Sequence, residues 1–131
     1  MSTDSIADML AKLRNAGSAG KSSVLIPHSN ILFSSLSVLQ QEGFVGSVEI
    51  KNRGGRRFIE VELNYDKEGK PTISSAKRVS KQSLRVYKGF GDIRPVRGGL
   101  GRVVISTPKG VLSGDKAKQE KVGGEVLFEI W

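Results

Sequence analysis

Ile59, Val61, Leu63 and Tyr65 alternate with Glu60, Glu62 and Asn64. A period of two admits an extended strand with one face buried and the other wet, and nothing helical. Phe44 to Ile50 reads as the other arm of a hairpin with Phe58 to Tyr65, and Ser23 to Pro27 as a further short strand. Around these strands the apolar period changes to that of a helix. Ile6, Met9, Leu10 and Leu13 follow i, i+3, i+4, i+7 spacing, with Thr3 or Asp4 as cap and Gly17 as stop. Ser29 caps a second helix from about Asn30 to Glu42, with Leu32, Leu36 and Leu39 inward and Gly43 ending it. The order α-β-α-β-β makes one small lobe. Its hairpin tip, Lys51-Asn52-Arg53-Gly54-Gly55-Arg56-Arg57, is basic and glycine-rich, and either touches phosphate or is simply solvated. Arg14 and Asn15 lie outside the apolar stripe of the first helix, where they can reach a partner or only water.

Asp66-Lys67-Glu68-Gly69-Lys70-Pro71 is polar and holds Gly and Pro, so it reads as the boundary between a lobe over residues 1–66 and a second over 67–131. The second lobe reads as mostly antiparallel β with one short helix, which makes the whole chain α+β. Its elements are a strand near Thr72 to Ala76, a turn at Ser80 to Ser83 and a strand Leu84 to Lys88. A helical turn at Asp92-Ile93-Arg94 ends before Pro95, and Gly98 to Gly101 leads into a strand Arg102 to Ser106. Ser113 caps a helix through Lys121, and in a final strand Val126, Phe128 and Ile130 alternate with Glu125, Leu127 and Glu129.

Charge separates the halves. Of 131 residues with net charge +8, residues 1–68 carry 8 Lys+Arg against 8 Asp+Glu, whereas 69–131 carry 13 against 5. Lys77 to Arg102 holds eight basic residues and only Asp92 among acids. A band of one sign points to a polyanion, nucleic acid or anionic membrane. Glycines and Pro95 break the band, so it forms no amphipathic helix for a membrane surface. No apolar run approaches the ~20 residues of a membrane span. The absence of cysteine excludes disulfides and thiolate metal sites and fits the cytosol. Met1-Ser2-Thr3-Asp4 lacks the layout of a signal peptide.

The chemistry that a polyanion would meet gathers at Ile105-Ser106-Thr107-Pro108-Lys109-Gly110 and Val122-Gly123-Gly124-Glu125. Hydroxyls at Ser106 and Thr107 both donate and accept, Lys109 brings charge, Pro108 stiffens the loop and Gly110 permits positive φ. Gly123-Gly124 allows close backbone approach, and Glu125 adds an acceptor that phosphate alone would not require. A solvated turn is the plain alternative. If the strands at Val103 and Val126 run antiparallel, the two segments share one edge. Tyr87, between Arg85 and Lys88, either stacks on a base or sits at the edge of the core.

Catalytic signals fail on inspection. Gly20-Lys21-Ser22 lacks the glycine a P-loop needs at position 15, where Asn15 stands. Gly99-Leu100-Gly101 begins a dinucleotide fingerprint but has Val104 in place of the third glycine. His28 is the sole histidine, and Glu60 and Glu62 lie on an exposed strand face, so no metal, other cofactor or acid–base pair is expected. A nuclease would have to draw on Asp92, Asp115, Glu120 and Glu125, which show no ligand spacing.

Several stretches together carry a resemblance: Ile6 to Leu10 with Arg14-Asn15, Glu42-Gly43-Phe44, Arg78-Val79-Ser80, Leu84 to Lys88, Ser106 to Val111 and Gly123 to Val126. In this order and length the chain resembles the family of the eighth protein of the bacterial small ribosomal subunit, almost from end to end. The resemblance implies a cytoplasmic, or organellar, non-enzymatic protein of that subunit. It implies early attachment to the central domain of 16S rRNA, assistance in folding the platform, and the fifth and twelfth small-subunit proteins as neighbours. Repression of ribosomal-protein messenger RNA is a second role it brings. By match, RNA contacts fall on Ser106, Thr107, Lys109, Gly110, Gly124 and Glu125, supported by Tyr87, Arg85 and Lys88, with Arg14 and Asn15 from the first lobe. Pro108 stands where many members have serine, and Ser5 where a helix-starting proline is common.

Overall fold

A computed structural model describes residues 4–131. Its class is α+β, with two antiparallel sheets and three α-helices, and the chain divides into two compact units.

Ala7–Ser74 form one unit. It holds most of α1 (Ser5–Ser18), then β1 (Ser23–Pro27), α2 (Asn30–Gln41), β2 (Val45–Arg53) and β3 (Arg56–Leu63), with sheet order β1-β3-β2. Met9, Leu13, Ile26, Leu36, Leu39, Val45, Ile59 and Val61 are all but sealed from solvent, which confirms the helical stripes and the period-two strand. The Ser29 side chain caps α2 by accepting from the Leu32 N–H at 3.2 Å. Thr3 lies outside the described residues; Asp4 directly precedes the first helical residue.

Gly17 does not end α1. The helix runs on to Ser18 and closes on Gly20, whose φ is 71°. There the Gly20 N–H donates to Gly17 and the Lys21 N–H to Ala16, the two bonds of a Schellman ending. Gly17 is small for another reason: a Cβ there would stand 3.2 Å from Pro71 Cβ. The hairpin is also tighter than expected. Both strands extend to a two-residue Gly54-Gly55 turn with φ of 57° and 78°, as a type I′ turn demands. A bulge between Val45 and Val48 is filled by Glu62, which accepts from the Ser47 N–H at 3.2 Å. Asp66 to Pro71 closes as a turn within this unit, with the Asp66 carboxylate accepting from the Glu68 and Lys70 N–H groups, both at 2.9 Å.

The other unit joins residues 4–6 to Ser75–Trp131. Its strands are β4 (Ala76–Arg78), β5 (Tyr87–Lys88), β6 (Arg102–Thr107), β7 (Gly110–Ser113) and β8 (Gly124–Ile130), with α3 (Gly114–Gln119) between the last two. The sheet order is β4-β8-β6-β7, and β5 also pairs with β8. On one face Val103, Ile105 and Val126 pack with Ile93, Val96 and Ala117. Val104, Phe128 and Ile130 are fully buried as well.

Several elements differ from the sequence reading. The strand expected at Thr72 to Ala76 begins only at Ala76, and that of Leu84 to Lys88 shrinks to its last two residues. The helical turn falls at Phe90–Asp92 instead of Asp92 to Arg94, and α3 stops at Gln119, where Lys121 turns left-handed with φ 57°. β7 has no counterpart in the sequence reading. Leu127 is buried where alternation put it outside, because the register of β8 on β6 slips between Val104 and Ile105 and makes it the extra residue of a bulge.

Candidate nucleic-acid interface

Pairing assembles the site. Ser106 stands opposite Glu125 across β6 and β8, and Glu125 stands opposite Tyr87 across β8 and β5. Directly opposed residues point to the same face, so Tyr87, Glu125 and Ser106 form one row over two strand spacings, roughly 10 Å. The two segments singled out in the sequence therefore do share an edge. Beside this row lie Lys88 opposite Gly124, and Thr107 opposite Gly110 at the end of the β6–β7 hairpin.

The Ser106-to-Gly110 loop is a tight hairpin tip with Pro108 and Lys109 at its corners and Gly110 at φ 108°. Thr107 holds it shut: its hydroxyl donates to the Gly110 carbonyl at 2.7 Å and accepts from the Lys109 N–H at 3.1 Å. Its proton is thereby committed, and toward a ligand it can only accept. The half-buried Ser106 hydroxyl has no partner among the described residues and keeps both functions. Lys109 Nζ stands 3.8 Å from Glu120 Oε1 with its side chain 55% exposed, a pair loose enough to exchange.

The glycine pair works differently from the sequence reading. A Cβ on Gly124 would collide with the Ser106 carbonyl oxygen, and one on Gly123 with the Lys88 carbonyl. Their close approach is to β6 and β5, and it draws three strands together under the Tyr87 row. Gly110, by contrast, has nothing within 4 Å of the place a Cβ would take.

Glu125 Oε2 accepts from Arg85 Nη1 at 3.0 Å. That hydrogen bond, and then the carboxylate's charge, raise the Arg85 pKa above its ordinary value, so the guanidinium stays charged at any working pH. Tyr87 is 68% exposed, which decides against the core-edge reading. What steadies this segment is Ser80, fully buried, whose hydroxyl accepts from the Val86 N–H at 2.9 Å and donates to the Val86 carbonyl at 3.3 Å. The turn between them closes through paired Lys81 and Leu84 backbones. Sequence reasoning missed that role, since one serine in a polar turn gives no periodic signal.

The basic band is less uniform than its count suggests. Arg78 pairs with Asp4 at 3.1 Å and donates to the Leu127 carbonyl. Arg94 donates to the Gly91 carbonyl, and Arg97 lies 4.3 Å over the Trp131 ring. Arg102 holds the carbonyls of Gly99 and Gly101 and lies 3.6 Å from Asp115. These arginines brace the scaffold. Lys77, Lys81 and Lys88 are exposed and point to solvent with no side-chain partner among the described residues. Arg14 and Asn15 are exposed on α1 in the other unit.

Three of the four acids a nuclease would draw on each lie beside a cation, Asp115 by Arg102, Glu120 by Lys109 and Glu125 by Arg85. Among the described residues no group of three or more His, Asp or Glu is gathered as a metal site would need. His28 lies tilted against Phe33, with 6.3 Å between ring centroids.

Comparison with known proteins agrees along the chain. Residues 4–131 match the family model described as Ribosomal protein S8. The chain is 42% identical to the small ribosomal subunit protein uS8 of Nautilia profundicola over 131 residues, covering all of both chains. It is 45% identical to that of Dechloromonas aromatica over 125 residues, 95% of each, and 44% identical to that of Persephonella marina over 136 residues, all of each.

Proposed function

Because the chain belongs to the ribosomal protein S8 family, a family of structural and not enzymatic proteins, we propose that it serves in the small ribosomal subunit by holding ribosomal RNA against the Tyr87–Glu125–Ser106 row. Its finer role is early binding to the central domain of 16S rRNA and folding of the platform, beside the fifth and twelfth small-subunit proteins. The setting is the cytoplasm, and no helix of the described residues is long and apolar enough to cross a membrane.

The single observation that carries this reading is the row itself. An exposed aromatic ring, a charge-paired guanidinium and carboxylate, and a free hydroxyl stand on one sheet face beside a lysine-tipped hairpin. Tyr87 offers a stacking surface for a splayed base or ribose, and Ser106 and Glu125 Oε1 offer a donor and an acceptor to ribose hydroxyls and base edges. Lys109, Lys88 and Lys81 supply attraction that is blind to sequence. Thr107, Gly110 and Gly124 take part by holding this geometry, with the Thr107 oxygen and the open Gly110 backbone within reach of RNA. Pro108 stiffens the tip at the cost of one N–H donor. Arg14 and Asn15 contribute from the other unit. The same surface suits a messenger RNA folded like the ribosomal site, so translational repression is compatible with this chemistry.

The test is a comparison of cognate central-domain fragment with a random duplex of equal length. Lys109→Ala weakens both and lowers the salt slope by about 0.7 to 0.9. Ser106→Ala erodes mainly the cognate preference. Equal losses on the two RNAs for both variants contradict the division of labour.

A further inference from the structure

The β2–β3 hairpin ends in a cluster of arginines that the interface above does not use. Arg53 and Arg56 stand directly opposite each other, one residue from the Gly54-Gly55 turn, and Arg57 follows opposite Asn52. Like charges placed opposite on a strand pair repel. Among the described residues none of the three has an ion pair or a side-chain hydrogen bond, and all three are exposed. The first carboxylates along the hairpin from its tip are already engaged, since Lys51 Nζ lies 3.1 Å from Glu49 and 3.9 Å from Glu60. Charge is thus sorted along the hairpin: acids and their lysine stay toward the body of the sheet, and uncompensated guanidinium groups sit at the end.

We propose that this tip is a second, phosphate-directed RNA contact carried by the Ala7–Ser74 unit, independent of the Tyr87 row. The type I′ turn holds the two strands in fixed register, so Arg53 and Arg56 present a pair of planar donor forks on one face. Such forks match phosphate oxygens bidentately. Asn52 to Arg57 carry no apolar side chain. That argues against a protein partner, whose interface centres on an apolar anchor, and against insertion into a membrane. The Gly54 and Gly55 faces are open, with nothing within 4 Å of the place a Cβ would take, so a phosphate backbone can approach closely.

The inference rests on the ribosomal reading for the identity of the RNA. Its test uses the full chain with complete small-subunit rRNA, and compares wild type, Arg53→Gln/Arg56→Gln and Lys109→Ala across a range of salt. The double variant is expected to bind about tenfold more weakly near 0.1 M salt, with a slope lower by about 1.4 to 1.8 units, two phosphates' worth. Its melting temperature should equal or exceed that of wild type, because a repulsion has been removed. Wild-type affinity and slope in the double variant overturn the proposal. Failure of the wild type itself to prefer rRNA overturns the ribosomal reading instead, and so the two failures are distinguishable.

Discussion

Ser80 shows how much rests on single atoms. Its buried hydroxyl is both acceptor and donor to Val86, and truncation removes both bonds at once. Ser80→Ala should cost about 1–3 kcal/mol of stability in denaturant titration, and Ser80→Thr, which keeps the hydroxyl, should recover part of it. Gly124→Ala is expected to be of similar size, about 1–3 kcal/mol, because its methyl drives into the Ser106 carbonyl and parts β8 from β6. A melt unchanged by Gly124→Ala would mean that the strands yield there. At this scale the sequence spoke through residue type and was silent on partnership. It marked Ser106, Lys109 and Glu125 by their chemistry, but not that Thr107 closes its own turn or that Glu125 is held by Arg85. Those facts depend on backbone turns and on residues dozens of positions apart meeting across strands.

Elements were legible in proportion to their length. β3 and the two long helices span enough residues for a period to declare itself, whereas β5 has two residues and β7 four, too few to alternate recognisably. Glycines misled where two physical uses share one residue. Gly17 is small to admit Pro71, and Gly20, three positions later, performs the helix ending. The Gly54-Gly55 turn allows a direct check, because both residues hold positive φ. Gly55→Ala should destabilise the chain by about 1 kcal/mol, and Gly54→Asn, suited to that conformation, by much less. Equal effects would show that the hairpin does not need its left-handed turn.

Over the whole molecule, the division of charge at residue 69 was the strongest functional signal, and it needed no structure to be seen. The fold refines it: within the basic band, arginines at 78, 94, 97 and 102 brace carbonyls, carboxylates and a ring, and Lys77, Lys81 and Lys88 are left without a side-chain partner among the described residues. On the function proposed above, attraction follows these lysines together with the hairpin arginines, and selectivity follows the row. The most direct measurement is photocrosslinking of the purified chain to total cellular RNA, with both the retained RNA and the crosslinked peptides sequenced. The account predicts one region of small-subunit rRNA, joined through peptides containing Tyr87, Ser106 to Gly110 or Glu125. Crosslinks scattered over unrelated RNAs, or confined to peptides that exclude this row, would contradict it.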